Sequence, residues 1–184
     1  MTTAPKGNRG PSAGPENRRA LIAAAREVFA QDGLRAPLSA IARRAGVGQG
    51  SLYRHFPDRL ALAVAVFDDN VSELERAMPH PDATLDDLLD RMIAQALTST
   101  ALIELIAAHQ DDERTQRLGD RVRGLVARVV EREQTAGRIG GHIAVDDVLL
   151  AISMLAGELS RTLPDARAEV ARRAWSLFYA AFAP

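Results

Sequence analysis

Two short helical segments, joined by a turn that contains glycine, constrain the fold of this chain more than any other feature of its sequence. The first is predicted from about Leu38 to Ala45, where apolar residues recur at the spacing of one helical face. The second is predicted from about Gln49 to Phe56 and ends before Pro57-Asp58. Between them, Gly46 supplies the backbone freedom that a tight turn needs. Two short helices joined in this way form a helix-turn-helix.

The apolar residues of the second segment indicate how it packs. Leu52 and Phe56 are four positions apart and share one face of the helix. Val47 and Leu52 are predicted to pack on Ile41 and Phe29, which fixes the second segment against the two helices before it. The side chains left on outward or flanking faces are Gln49, Gly50, Ser51, Tyr53, Arg54 and His55. Glutamine and arginine can bind base edges, whereas serine, tyrosine and histidine can donate to phosphates.

Three glycines at alternate positions, Gly46, Gly48 and Gly50, raise the alternative of a phosphate-binding loop for a nucleotide. The dinucleotide fingerprint G-x-G-x-x-G follows a strand, but here Ser51 stands at the position of the third glycine and a helix precedes the motif. A Walker-type loop needs a lysine, and the only lysine of the chain is Lys6. We therefore assign Gly46 to the turn, and Gly48 and Gly50 to an uncrowded start of the second helix.

The distribution of charge supports a polyanionic partner. Residues 1–60 carry ten basic and four acidic side chains, whereas residues 61–184 carry thirteen basic and twenty acidic ones. The net charge of −1 therefore conceals a basic module followed by an acidic one. Such asymmetry is typical of a module that binds nucleic acid, attached to one that does not.

The rest of the chain is predicted to be helical, without strand-like alternation of useful length. A first helix has Asn17 as its N-cap and ends at Gly33, and Asp58 caps a long helix that stops near Met78. Five further helical segments begin after Thr84, at Leu102, near Leu118, near Val148 and at Pro164-Asp165. The predicted fold is all-α, with about nine helices. It comprises a flexible arm (1–16), a three-helix helix-turn-helix module (17–62) and a larger helical domain (63–184).

The last helix is apolar on nearly all sides from Trp175 to Phe182. Such a helix is either buried on every side within one chain or shared with a partner. Because it ends a small domain, where complete burial is difficult, we favour a homodimer interface. The residues predicted to form it are Ile152, Leu155, Leu159, Trp175, Phe178, Tyr179 and Phe182.

Several classes of protein are disfavoured. The chain has no cysteine, which excludes disulfides and cysteine-ligated metals. It has no apolar run of membrane length and no apolar signal segment, so a cytoplasmic protein without a membrane partner is expected. The four histidines have no partner three or four positions on, and H-E-x-x-H and G-x-S-x-G motifs are absent. We therefore predict no enzyme activity, no metal and no cofactor.

The run LSAIARRAGVGQGSLYRHFPDRLAL, residues 38–62, closely resembles the DNA-binding module of the TetR (tetracycline-repressor) family of transcriptional regulators. The resemblance extends from Asn17 to about Val71. It implies a base-facing set and a phosphate-binding set of side chains. The first consists of Gln49, Gly50, Ser51 and Arg54; the second consists of Tyr53, His55 and Arg59, with Ser39 and Arg43 as weaker candidates. Arg59 stands where the family usually has a lysine, and Ala36-Pro37 replaces threonines that usually cap the second helix.

The resemblance implies a homodimeric repressor of double-stranded DNA, released from a pseudo-palindromic operator by a small, largely apolar ligand. The helical remainder would be its ligand-binding and dimerisation domain. Its candidate pocket residues are Phe67, Met92, Gln95, Leu105, His109, Leu125 and Met154, although His109 could simply cap a helix. The alternative is an all-helical ligand-binding or interaction protein without operator-specific DNA binding. The basic N-terminal module favours the first hypothesis, because a ligand carrier has no need of it.

Overall fold

The computed structural model describes residues 14–33, 36–78, 80, 83–98 and 108–184. Within these ranges the chain forms eight α-helices and no strand, which confirms the all-α prediction. The helices are α1 (Gly14–Asp32), α2 (Leu38–Arg44), α3 (Gln49–His55), α4 (Arg59–Ala77), α5 (Leu85–Thr98), α6 (Glu113–Thr135), α7 (Val145–Arg161) and α8 (Arg167–Phe182). The apolar helix predicted to begin at Leu102 lies outside the described residues. None of the described helices is long and apolar enough to cross a membrane.

The ends of the helices follow from local chemistry. Gly33 and Gly46 have φ of 70° and 66°, the left-handed conformation that ends α1 and α2 as predicted. The Asp58 carboxylate accepts a hydrogen bond from the Ala61 backbone N–H at 2.6 Å and so caps α4. The predicted N-cap at Asn17 is wrong, because α1 already begins at Gly14. The next residue is Pro15, and proline is tolerated in the first turn of a helix.

A first apolar core holds α1, α2, α3 and the beginning of α4 together. It contains Leu21, Ala25, Val28, Phe29, Ile41, Leu52, Phe56, Leu62 and Val66, all buried. Val47 packs against this cluster as a half-buried side chain. The four residues predicted to dock the two short helices, Val47, Leu52, Ile41 and Phe29, therefore lie in one core.

A second apolar core joins the end of α4 to α5, α6, α7 and α8. It contains Leu74, Leu85, Leu88, Leu89, Leu125, Val126, Val129, Val148, Trp175 and Phe182. The Trp175 indole N–H donates to the Asp86 carboxylate at 2.8 Å, which ties α8 to α5. Because α4 contributes to both cores, it is the structural link between the helix-turn-helix module and the rest of the chain.

The second core takes in several residues of the predicted dimer interface. Leu155, Leu159, Trp175 and Phe182 are buried within their own chain. Ile152, Phe178 and Tyr179 are half-buried and pack against the same internal clusters. The large apolar side chains that are exposed on these two helices are Leu150 and Met154 on α7, 59% and 56% exposed, and Leu177 on α8, 67% exposed. α8 thus has an apolar face that is buried in its own chain and an exposed apolar side chain, Leu177.

The residues predicted to line a ligand pocket lie in several places of the fold. Phe67 packs against the first core, Leu125 is buried in the second, and Met154 is exposed on the surface of α7. Met92 and Gln95 are half-buried on α5, and the Gln95 amide approaches the Asn70 carbonyl at 3.4 Å. His109 lies exposed in a turn, and Leu105 lies outside the described residues. The six described candidates therefore belong to different cores and surfaces.

Candidate nucleic-acid interface

The turn between α2 and α3 is closed by backbone hydrogen bonds. The Gly46 N–H donates to the Arg43 carbonyl at 3.1 Å, and the Val47 N–H donates to the Ala42 carbonyl at 2.9 Å. Gly48 is extended, with φ of −68° and ψ of 146°, and its carbonyl accepts the first hydrogen bonds of α3. The short turn, together with fully buried Leu52, fixes the direction of α3 against α1 and α2.

The opposite face of α3 is open to solvent. Gln49, Gly50, Tyr53 and Arg54 are exposed, with Tyr53 at 52%, whereas Ser51 and His55 are half-buried at its edge. Among the described residues, the side chains of Gln49, Tyr53 and Arg54 make no hydrogen bond or ion pair with the protein. Long polar side chains that are exposed and unpaired remain available to an external partner, so this face can bind a polyanion or base edges.

The beginning of α3 is uncrowded, as predicted. A Cβ atom added to Gly48 or to Gly50 would have no neighbouring atom within 4 Å. The backbone of these two residues is therefore accessible from outside, and nothing within the described protein requires glycine at either position for space.

The exposed face continues from α3 onto α2. Ser39 and Arg43 are exposed and four positions apart, which places them on one side of α2. Arg43 has no ion pair with the described residues, in contrast to the adjacent Arg44, which pairs with Glu27 of α1. Arg43 is therefore a cation of this surface, whereas Arg44 holds α2 to α1.

Two other arginines of the basic module are turned towards the protein. The Arg59 guanidinium donates from Nη1 to the Ala36 carbonyl at 2.8 Å and lies 5.9 Å from the centre of the Phe29 ring. The Arg18 guanidinium lies 5.4 Å from the centre of the Phe56 ring at the end of α3. Distances of this size allow cation–π attraction. Sequence reasoning missed both contacts, because nothing in the sequence indicates which way a long side chain turns.

A polar bridge connects this module to α6. Arg114 lies in the first turn of α6 and donates to the Asp58 carboxylate, the N-cap of α4, at 3.1 Å and to the Asp112 carboxylate at 2.8 Å. Hydrogen bonds from the Arg114 side chain and backbone lower the pKa of Asp112 to about 2. The two carboxylates in turn raise the pKa of Arg114. Both groups therefore stay charged at neutral pH, and the bridge joins the start of α6 to the corner between α3 and α4.

The comparison with known families agrees with this geometry. Residues 21–66, which include α2, α3 and most of the first core, match the profile of the family described as bacterial regulatory proteins, tetR family. Residues 21–66 thus carry a helix-turn-helix domain of the tetR type. Among curated protein sequences, none matches it.

Solved structures extend the similarity to tetR-family regulators beyond the matched residues. The TetR transcriptional regulator SCO0520 from Streptomyces coelicolor is 28% identical with a TM-score of 0.67, and the alignment covers 91% of this chain and 98% of that one. A TetR transcription regulatory protein from Mycobacterium vanbaalenii is 26% identical with a TM-score of 0.62, covering 84% and 96%. The α2–α3 unit is thus the DNA-binding helix-turn-helix of a family of transcriptional regulators.

Proposed function

We propose that this protein is an operator-specific regulator of transcription that places α3 in the major groove of DNA. The observation that carries the proposal is the exposed and unpaired face formed by Gln49, Tyr53 and Arg54, which continues onto Ser39 and Arg43 of α2. Because these side chains make no hydrogen bond or ion pair with the described protein, they can bind DNA without breaking one. The buried side of the same helix, through Leu52 and Phe56, keeps that face in a fixed orientation.

The residues of this face have different roles in the proposal. Arg54 and Gln49 bind base edges, since arginine forms paired hydrogen bonds with guanine and glutamine with adenine. Gly50 allows the first turn of α3 to approach the DNA closely, and Ser51 contributes to this contact. Tyr53, His55, Ser39 and Arg43 bind phosphates, which fixes the register on the duplex without reading its sequence.

We also propose that the protein binds as a homodimer through the exposed apolar side chains of α7 and α8. Leu150 and Met154 are one turn apart on α7, and Leu177 lies on α8, which packs against α7. A second copy of the same surface would cover them in a self-complementary interface. Two helix-turn-helix units held in this way bind half-sites about 34 Å apart, which requires a pseudo-palindromic operator.

The dimer is tested by mass measurement in solution. We expect the wild type to behave as a dimer at micromolar concentration and the double variant Met154→Glu/Leu177→Glu as a folded monomer with an unchanged circular dichroism spectrum. Its matched control is Arg161→Glu, which changes the charge at the exposed C-terminal end of α7. A wild type that stays monomeric would contradict this interface.

Regulation by a small, largely apolar ligand completes the proposed repressor. What supports it is the position of α4, which contributes to both cores and therefore transmits any rearrangement of the C-terminal domain to the DNA-binding module. A ligand releases the operator only to the extent that it binds the two arrangements with different affinity. Screening compounds by thermal shift, followed by release from labelled operator, tests this part separately from DNA binding.

The decisive experiment is a fluorescence anisotropy titration against DNA that flanks the gene. We expect specific affinity that falls with salt, and loss of discrimination between operator and mutated operator in Arg54→Ala. Arg43→Ala should weaken all sequences alike and reduce the slope of log K against log salt by about 0.9. Micromolar binding without sequence preference at physiological salt would overturn the proposal and favour a helical ligand-binding or interaction protein.

A further inference from the structure

Arg59 occupies a position where an arginine of a basic, DNA-binding surface would be expected to face solvent. It is the first residue of α4, directly after the Asp58 cap and four residues after the end of the exposed face of α3. Its side chain instead turns back towards α1 and the start of α2, where it is half-buried.

Two contacts hold the guanidinium there. Nη1 donates to the carbonyl of Ala36 at 2.8 Å, and the guanidinium carbon lies 5.9 Å from the centre of the Phe29 ring. Both partners are buried parts of the first core, with Ala36 at 5% and Phe29 at 1% exposure. A charged donor to a carbonyl is stronger than a neutral one, and the ring face favours a cation above it. The side chain is therefore anchored at two points inside the module.

The start of α2 is the place that depends on this anchor. Pro37 stands at the N-cap position of α2 with φ of −67° and ψ of 139°, and no side chain caps the helix there. Proline has neither a side-chain oxygen to accept from the first turn nor a backbone N–H to bond elsewhere. The preceding carbonyl, that of Ala36, is the group that Arg59 binds, so α4 holds the entrance of α2 from outside.

We propose that Arg59 is a positioning residue, which fixes the entrance of α2 and thereby the placement of Ser39 and Arg43, and that it does not bind a DNA phosphate. Ser39 lies two residues after Pro37, and Arg43 lies one helical turn further on the same side. The first half of this proposal concerns the free protein alone. The second half rests on the proposed DNA binding.

The two roles differ in what they change in the absence of DNA. If Arg59 only binds a DNA phosphate, its substitution leaves the free protein unaffected. A positioning residue, once removed, loosens the segment that it holds. Hydrogen exchange of residues 38–45, measured by mass spectrometry on the free protein, therefore separates the roles without any assumption about DNA.

We expect Arg59→Ala to accelerate exchange of residues 38–45 on the order of tenfold, because a hydrogen bond to a charged group is lost. Arg59→Lys retains a charged donor on a long side chain that can reach towards the Ala36 carbonyl and should restore most of the protection. Arg43→Ala, which removes an exposed arginine of the same module, should leave exchange unchanged. Equal exchange in wild type and Arg59→Ala would overturn the proposal. If the alanine variant does not fold, Arg59→Gln, whose side chain is too short to bind the Ala36 carbonyl in the same way, takes its place, and wild-type exchange in that variant would overturn the proposal.

Salt dependence of DNA binding gives the second readout. We expect Arg59→Ala to bind operator more weakly than wild type with an unchanged slope of log K against log salt, whereas Arg43→Ala lowers that slope by about 0.9. A slope that falls by about 0.9 in Arg59→Ala and Arg59→Gln would overturn the proposal whatever the exchange result. If the wild type does not bind DNA specifically, the proposed function fails, and the exchange experiment still decides the role of Arg59 in the fold.

Discussion

Substitution of Gly50 by alanine should stabilise the free protein while weakening its binding to DNA. Gly50 is the second residue of α3, is exposed, and would gain a Cβ with no neighbour within 4 Å. Its φ is not in the left-handed region, which among the described glycines is adopted by Gly33, Gly46 and Gly137. The protein itself therefore has no steric use for glycine at this position, although glycine destabilises a helix. Close approach of an external partner explains a residue without a side chain at this position.

The size of both effects can be worked out. Alanine in place of glycine in a helix is favourable by about 0.5–1 kcal/mol, because glycine loses more backbone entropy on folding. For a chain of this length that corresponds to a rise in melting temperature of about 1–4 °C. A methyl group forced into a closely packed contact costs about 1–3 kcal/mol, which is roughly 5- to 150-fold in Kd. Thermal unfolding and anisotropy titration on the same samples measure the two changes.

Two other glycines of the chain provide controls. Gly119 is exposed within α6, and a Cβ added there would also meet open space, so Gly119→Ala should stabilise by a similar amount and leave DNA affinity unchanged. Gly46 has φ of 66°, so Gly46→Ala should destabilise by about 1–2 kcal/mol. If Gly50→Ala binds operator as tightly as the wild type, DNA does not approach closely at this position. If its melting temperature falls, the added methyl group is not in open space as described.

Two further predictions test the packing of the helix-turn-helix and the bridge to α6. Leu52→Ala removes a fully buried side chain from the first core and should cost about 2–5 kcal/mol in unfolding free energy, measured in urea; a cost below about 1 kcal/mol would mean that α3 is not docked as described. Asp112, with its pKa lowered to about 2 by hydrogen bonds from Arg114, should contribute stability above its ordinary pKa and lose it as the pH falls towards 2. In Arg114→Ala the carboxyl carbon of Asp112, followed by NMR, should titrate closer to the ordinary value of 3.8, and an unchanged midpoint would contradict the bridge.

The parts of the fold that depend on local chemistry were predictable from the sequence. The ends of α1 and α2 follow from glycine at Gly33 and Gly46, and the start of α4 follows from a capping carboxylate at Asp58. The direction of α3 follows from the four-residue spacing of Leu52 and Phe56, both of which are buried. In each case the residue that determines the structural feature lies within a few positions of it, so the feature can be recognised in a single sequence.

The faces of α7 and α8 were not predictable in the same way. Leu155 is buried and the adjacent Met154 is 56% exposed, yet both are large and apolar. Helical periodicity shows that a helix has two apolar faces, but it does not show which one meets its own chain. The sequence also does not show that Phe67 packs against the first core and Leu125 lies in the second, since only the tertiary arrangement separates them.

At the corner Asp58-Arg59, the size of the interaction free energies indicates how much polar contacts can contribute compared with apolar ones. Asp58 is bound by Arg114 of α6, and Arg59 holds the entrance of α2, so adjacent residues connect α4 in two directions. Arg114 and Asp58 are 35% and 50% exposed, and a surface ion pair of this kind contributes about 0.2–1 kcal/mol. Through that pair alone, a movement of α6 could change DNA affinity by no more than about fivefold.

A larger response to the proposed ligand would have to come from the rest of the contact between α4 and α6, which comprises apolar packing and the ion pairs of Arg121 with Asp68 and Glu75. Leu74 of α4 is buried with Leu125 and Val126 of α6, and a cleft of about 230 Å³ separates the helices beside Val64 and Leu118. Repacking of buried side chains is worth several times more than an exposed ion pair. Arg114→Ala should consequently change the ligand-induced loss of DNA affinity by less than about fivefold, whereas Leu118→Ala should change both stability and response. A complete loss of response in Arg114→Ala, measured by anisotropy with saturating ligand, would show that the polar bridge and not the apolar contact carries the coupling.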